Sequence, residues 1–196
     1  MRVTPAAPRG IFSAPVSILS RDEIKAHIAK GEIKIDPFDE KAVGAASVDL
    51  RISRWFRRLV RKSDPIEVRP DVDYRSAAIT ELVEVPENGF LEVAPRETVL
   101  GITFERVGLA DNICGWFEGR SRYARLGLLV HISAGFMQPG TNNNQVLEIS
   151  NMGPRFLRLY PMISICQFVF QRMIGSAHHA GRFTGQTIED FKSTQR

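Results

Sequence analysis

The sequence predicts an all-β barrel or sandwich preceded by one helix. Eight short segments rich in Val, Ile, Leu and Phe recur after Pro37: "ASVDLRIS", "GFLEVAP", "ETVLGITFERV", "NICGWFEG", "GLLVHISAGF", "QVLEISNMG", "FLRLYP" and "ISICQFVFQRM". Clusters of Gly, Pro and Asn cut them apart, among them "ENG", "PGTNNN" and "NMGP". Such spacing belongs to strands joined by turns. Only one helical period comes before them.

Taken in order, the opening "MRVTPAAPRGIFSAPVS" is proline-bearing and lacks the long apolar stretch of a signal peptide. Residues 1–16 are therefore expected to be a flexible arm. The helix is expected in "SRDEIKAHIAKGEI", where Ser20 and Glu23 have the spacing of a capping box, Ile24 and Ile28 form an apolar stripe, and Gly31 stops it. In "RISRWFRRLVRK", strand parity puts Arg51, Arg57 and Arg61 on one face and Arg54, Arg58 and Lys62 on the other. Charge on both faces predicts a projecting or edge segment. "SRYARLG" suits a short helical turn between two strands. The polar, glycine-bearing tail looks mobile alone and able to order over a ligand. Three parts follow: the arm, a β domain over 17–175, and a tail over 176–196 that closes on the site.

Composition narrows the function. A chain of 196 residues with 43% hydrophobic content suits one domain. No run approaches the ~18 apolar residues of a membrane span, so no membrane partner is expected. Cys114 and Cys166 are far apart in apolar stretches and read as buried free thiols in a reducing cytoplasm. The net charge of +4 and pI near 9.3 fit nucleic acid or a phosphorylated small ligand. Two tryptophans and three tyrosines form no stacking array with the arginines, which argues against nucleic acid.

Chemistry concentrates in two places. "GRSRYARLG" crowds Arg120, Arg122 and Arg125 around Ser121, between apolar flanks. Arginine keeps its charge, so its burial needs internal carboxylates or an anionic ligand. Ser121 reads as a helix cap or as a ligand contact, and at i, i+4 spacing Ser121 and Arg125 could face one ligand together. Arg120 and the helix-start N–H groups suit phosphates. In "NQVLEISN", Val146 and Glu148 share one face and Leu147 and Ile149 the other. Glu148 is either an ordinary solvent-facing residue or a pocket carboxylate whose desolvation raises its pKa toward the working pH of a proton shuttle. His131 reads as a satisfied core histidine, and His178 and His179 as an exposed pair. No H-x-E with P-C-x-x-C, Walker loop or G-x-S-x-G is present, which removes the zinc deaminase apparatus, P-loop chemistry and the serine-hydrolase elbow.

"GRSRYARLGLLVHISAGFMQPG…QVLEISN" resembles the dCTP deaminase branch of the dUTPase-like trimeric nucleotide hydrolases. That family typically shows G-R-S-S-x-A-R-x-G, then T-A-G-x-I-D-P-G, then L-E-x-x-N. "SILSRDEIKAHIAKGEIKIDPFD…ASVDLRI" is similar to the family's opening, "PMISICQFVF" to its glutamine-bearing strand, and "GRFTGQT" to its K-Y-x-x-Q tail. The resemblance covers about residues 17 to 188. It implies a distorted β-barrel or jelly-roll protomer, a homotrimer with active sites at subunit interfaces, and a deoxynucleoside triphosphate bound with Mg²⁺ and no zinc.

Carried over by motif, Glu148 is the catalytic glutamate, and Arg120, Ser121 and Arg125 serve the phosphates and reacting base. Arg122, Tyr123, Ala124, Gln138, Val146, Leu147, Gln167, His179, Arg182 and Gln186 complete the expected nucleotide contacts. The implied reaction is hydrolysis of dCTP to dUTP and ammonia, with alternatives in a dUTP pyrophosphatase, a bifunctional enzyme or a non-catalytic nucleotide-binding protein. Glu148 would carry protons from water to N3 and to the leaving amine, Ser121 would hold the water, and Arg125 would stabilise developing charge. The chain departs from the pattern at several points. Gln138 stands where the family has aspartate, and an amide cannot act as a base. Arg122 and Tyr123 replace a serine and a small apolar residue, "TNNNQ" replaces an aromatic–x–glycine turn, and Phe183 replaces the tail tyrosine.

Overall fold

The structure, a computed structural model, describes residues 17–131 and 133–194. The expected arm at residues 1–16 lies outside them. Helix α1 (Arg21–Ala29) precedes strands β1 (Ile33–Asp36) and β2 (Val48–Leu59). Then come β3 (Thr80–Glu84), β4 (Leu91–Val93), β5 (Thr98–Leu109) and β6 (Ile113–Gly119). A short helix α2 (Ser121–Ala124) leads to β7 (Leu128–Val130), β8 (Phe136–Met137) and β9 (Asn142–Asn151). The chain continues through β10 (Leu157–Leu159) and β11 (Ser164–Arg172) to helix α3 (Ile188–Lys192).

Among the described residues, nine strands form one curled sheet with the path β7-β9-β5-β2-β11-β6-β8, to which β1 adds beside β5 and β3 beside β2. β4 and β10 make a separate ribbon. The expected all-β class therefore holds, as a half-closed barrel. Each expected segment contains a strand, while β1 and β3 are additions. "GLLVHISAGF" is not continuous: it breaks at His131, whose φ of 53° ends β7. The inward face carries Val48, Leu50, Ile52, Phe56, Leu147, Ile149 and Phe168 into the main core. Cys114 and Cys166 are buried free thiols, as expected.

Helix α1 follows the periodicity, with Ile24 fully buried and Gly31 (φ 73°) just past its end. The expected capping box is absent: the Ser20 side chain makes no capping bond. Glu23 instead reaches along the helix to His27 Nε2 at 3.8 Å, its i, i+4 neighbour.

The larger correction concerns β2. It is no edge; β5 and β11 flank it, and β3 also pairs with it. Its arginines are neutralised within the fold. Arg51 meets the buried Glu105 at 2.5 Å, Arg54 meets Glu84 at 3.4 Å, and Arg58 meets Glu97 at 2.9 Å. Arg57 is only 1% exposed. Its guanidinium donates to Phe191 O (2.8 Å), Ser193 O (2.6 Å) and Thr80 Oγ1 (3.1 Å). Burial draws its pKa down, and the carbonyls at the end of α3 supply the partial negative charge that keeps a cation tolerable there.

The tail, expected to be mobile alone, is therefore ordered against its own protomer. A capping box starts α3: Asp190 N donates to Thr187 Oγ1 (3.2 Å) and Thr187 N donates to Asp190 Oδ2 (2.9 Å). Phe191 is fully buried over Leu100 and Ile102, with Trp55, Tyr74 and Val146 around it.

Replacing Arg57 with Leu leaves those carbonyls unpaired. The substitution is expected to lower unfolding free energy by about 3 kcal/mol in chemical denaturation, and to speed amide exchange first in α3. Unchanged exchange there would contradict the clamp.

Candidate active site

Glu148 stands on the outer face of β9, between strands that fix its surroundings. Register places it beside Leu100 of β5, and Leu100 beside Arg57 of β2. The cross-strand row Arg57–Leu100–Glu148 therefore lies on the tail-covered face. The parity read from sequence holds: Leu147 and Ile149 enter the main core, and Val146 packs beneath the Phe191 cluster.

His131 completes the row. Its backbone N–H donates to Glu148 O at 2.8 Å, and its ring Nδ1 lies 2.6 Å from Glu148 Oε2. The imidazole is buried and meets the Phe117 ring edge-on, with centroids 5.3 Å apart. The Glu148 side chain remains 38% exposed, so a ligand can reach it. Burial pushes the Glu148 carboxyl up, but the His131 hydrogen bond and charge together hold it below its ordinary value of 4.5. This corrects the expectation of a raised pKa. The reading of His131 as a satisfied core histidine was incomplete: it is satisfied, and its partner is the candidate acid. No local sequence signal marks that role; it follows from β7 ending after Val130, which is paired with Ile149, so that His131 falls beside Glu148.

The arginine turn forms as a helical turn. Arg125 N donates to Ser121 O at 3.2 Å, so the two residues share a side. Arg120, with extended backbone, occupies the N-cap position, and Ser121 is the first helical residue rather than the cap. Arg120 Nη1 lies 2.6 Å from Asp49 Oδ2. Arg122 and Arg125 are exposed, which corrects the premise of burial, and neither has an ion pair among the described residues. Ala124 is exposed, while Tyr123 packs partly on the main core. Gly127 is required behind the turn: its φ is 86°, and a Cβ there would lie 2.5 Å from Gly153 N.

The turn and the Glu148–His131 pair sit at opposite ends of β7. Leu128 pairs with Asn151 and Val130 with Ile149, so about 10 Å of strand separates them. No hydrogen bond or ion pair joins them among the described residues.

A cleft of about 320 Å³ opens beside the tail, with Phe136, Gln138, Gln145, His179, Arg182 and Phe183 among its lining residues. Arg182 donates to Val72 O and Asp73 Oδ2, both at 3.0 Å. Gln186 is buried, with Nε2 donating to the Tyr74 hydroxyl. Gln167 Oε1 accepts from Ser47 Oγ at 3.0 Å. His178 is not idle surface, since its Nδ1 lies 2.8 Å from Asp111 Oδ1. Leu147 offers only backbone to any ligand, because its side chain is fully buried.

Residues 18–173 match the family model described as dCTP deaminase-like. The chain belongs to that family. Among curated proteins, the dUMP-forming dCTP deaminase of Leifsonia xyli subsp. xyli is 36% identical over 180 residues, 86% of each chain. The protein of that name in Mycolicibacterium vanbaalenii is 37% identical over 162 residues, covering 83% of this chain and 84% of the relative. A solved dCTP deaminase from Agrobacterium tumefaciens has the same fold, with a TM-score of 0.61 at 18% identity over 80% of this chain and 48% of that one.

Within this dCTP deaminase-like chain, the His131 bond helps to hold the Glu148 carboxyl below its ordinary value. A depressed pKa means that the carboxylate is lost only as pH falls through that lowered value. Removing the ring leaves burial, which raises the carboxyl. In His131→Ala, the Glu148 carboxyl ¹³C resonance is expected to titrate at higher pH than in the parent. An unchanged or lower midpoint would show that His131 does not set it.

Proposed function

We propose that this chain deaminates dCTP, at sites shared between subunits of a homotrimer, with Glu148 as the proton carrier. The observation that carries the reading is the 2.6 Å bond from His131 to Glu148. It leaves the carboxylate ionised and oriented at neutral pH, ready to accept a proton from water. Glu148 then delivers that proton to N3 of the cytosine as the hydroxide adds at C4. It next takes the proton of the new C4 hydroxyl and passes it to the amine, so that C4=O forms as the C4–N bond breaks and ammonia leaves. Ser121 would hold the water, and Arg125 would stabilise charge on the tetrahedral intermediate.

The shared site is motivated by the separation along β7. One protomer supplies Glu148, His131, Gln138 and Val146, and a neighbour supplies the turn with Arg120, Ser121, Arg122 and Arg125. Arg122 and Arg125, exposed and without an ion pair among the described residues, suit a polyphosphate, and Arg120 would exchange Asp49 for it. Arg182 and Gln186 would approach the triphosphate from the tail, after exchanging their present partners Asp73 and Tyr74 for it. The lining of cations and amides fits a triphosphate that carries its own Mg²⁺, so the ion needs no dedicated protein ligands. Two buried free thiols suit a reducing cytoplasm.

The names of the curated relatives favour continued hydrolysis to dUMP and pyrophosphate over the dUTP product expected from sequence. Gln138 favours a second reading, release of dUTP. An amide at that position can orient water by hydrogen bonding but cannot deprotonate it.

Incubation with dCTP, dUTP or CTP plus Mg²⁺, with chromatography of nucleotides and assays of ammonia and pyrophosphate, separates these outcomes. Ammonia is expected from dCTP. Equimolar pyrophosphate marks the dUMP route, and its absence marks the dUTP route. Glu148→Gln is expected to slow ammonia release on the order of 10²–10⁴-fold. Full activity in that variant would contradict the mechanism.

A further inference from the structure

The run "TNNNQ" departs from the family pattern, and the structure gives each asparagine a task. β7 pairs with β9 only between Leu128↔Asn151 and Val130↔Ile149. The edge of β9 before Glu148 has no strand beside it among the described residues, and an open edge exposes unpaired peptide groups. The tail covers it. Asn144 N donates to Gln186 O at 2.9 Å. One step earlier, the Asn143 side chain does what a neighbouring strand's peptide would do: Nδ2 donates to Phe183 O at 3.0 Å, and Oδ1 accepts from Gly185 N at 2.6 Å.

The other two asparagines secure the platform. Asn144 Nδ2 donates to Thr103 O and Phe104 O at 3.2 Å each, where the β5–β9 register shifts between Ile102 and Arg106. The Asn142 carbonyls accept from Arg106. Asn143 itself is buried, at 8% exposure. Gly185 has a φ of 83°, a conformation that favours glycine and turns the chain away from the clip toward α3.

We infer that Asn143 is a positioning residue for nucleotide capture. It fixes the backbone on either side of Thr184, and so holds Arg182 and Phe183 at the cleft. The inference rests on the proposed nucleotide site. Its chemistry is that of an amide in a buried, two-bond pairing: alanine removes both bonds, whereas aspartate keeps the acceptor for Gly185 N–H and loses the donor to Phe183 O. Asn143 also lines the cleft, but both of its side-chain bonds go to the tail, so its loss is expected to weaken binding without altering the chemical step.

The test uses the full chain, with dCTP and Mg²⁺ as the probe, and reads amide exchange and kinetics together. Asn143→Ala is expected to speed exchange at Gly185 and Asn144. It should raise KM for dCTP about 10-fold, the effect of roughly one net hydrogen-bond pair, with kcat kept within about twofold. Asn143→Asp, which sets a buried carboxylate oxygen against Phe183 O, should speed exchange and raise KM at least as much as alanine. In an Arg182→Ala background, Asn143→Ala should add little to KM, since its effect passes through Arg182. Unchanged exchange at Gly185 would overturn the clip, whatever the substrate. Faster exchange with unchanged KM, or a fall in kcat alone, would overturn the positioning role. A parent protein that neither binds nor turns over dCTP would overturn the nucleotide reading, and the role of Asn143 with it, even if exchange showed the clip itself to be real.

Discussion

The hydrogen bond between His131 and Glu148 is the contact around which the site is organised. A carboxylate on a half-covered strand face meets two opposed influences. Burial favours its neutral form, and the imidazole favours its charge. Burial is the largest single influence, but the His131 hydrogen bond and charge, with a backbone hydrogen bond, together outweigh it, and the fold leaves His131 no freedom to withdraw. The backbone of His131 is tied to the same glutamate, its ring is set edge-on to Phe117, and β7 ends in a left-handed residue that turns the ring toward β9. A glutamate so held is a base at rest and becomes an acid only after it has taken a proton from something bound. Water activation followed by protonation of a ring nitrogen requires that order.

The same sheet face organises the tail. Arg57, Leu100 and Glu148 form one cross-strand row. The tail helix caps the Arg57 end of it through backbone carbonyls and a buried phenylalanine. The polar residues expected to meet phosphate, Arg182 and Gln186, are already engaged by Asp73 and Tyr74. Asp73 also accepts from Arg75, whose hydrogen bond holds its carboxyl below the usual range. The tail is therefore an ordered part of the protomer, and on the proposed function substrate entry would exchange one set of polar partners for another. Such an exchange can be nearly neutral in energy, because each charged group moves between two satisfied states.

Much of this was legible in the sequence. Short strands between Gly, Pro and Asn breaks revealed the class, and the parity of Val146 and Glu148 against Leu147 and Ile149 put the glutamate on the correct face. The α2 turn was legible too, since alanine and arginine between two strands suit one helical turn. What escaped depended on partners distant in the chain. Arg57 looked like a solvated edge residue because its neutralising carbonyls lie more than a hundred residues away, at Phe191 and Ser193. The Ser20–Glu23 spacing matched a capping box, yet Glu23 found a histidine one turn on. His131 carried no local mark of its role, and the "TNNNQ" run looked anomalous until the tail was laid against it.

The one relation a single protomer does not contain is that between the Glu148–His131 pair and the arginine turn at the other end of β7. If they form one site across a subunit boundary, subunits that each lack one half should complement one another. Glu148→Gln and Arg125→Ala proteins, each inactive alone, would be unfolded together, refolded as a mixture and assayed for ammonia release from dCTP. A composite site predicts recovered activity in the mixture, carried by interfaces that pair an intact glutamate with an intact arginine. No recovery, from mixed oligomers shown to have formed, would contradict the sharing of the site.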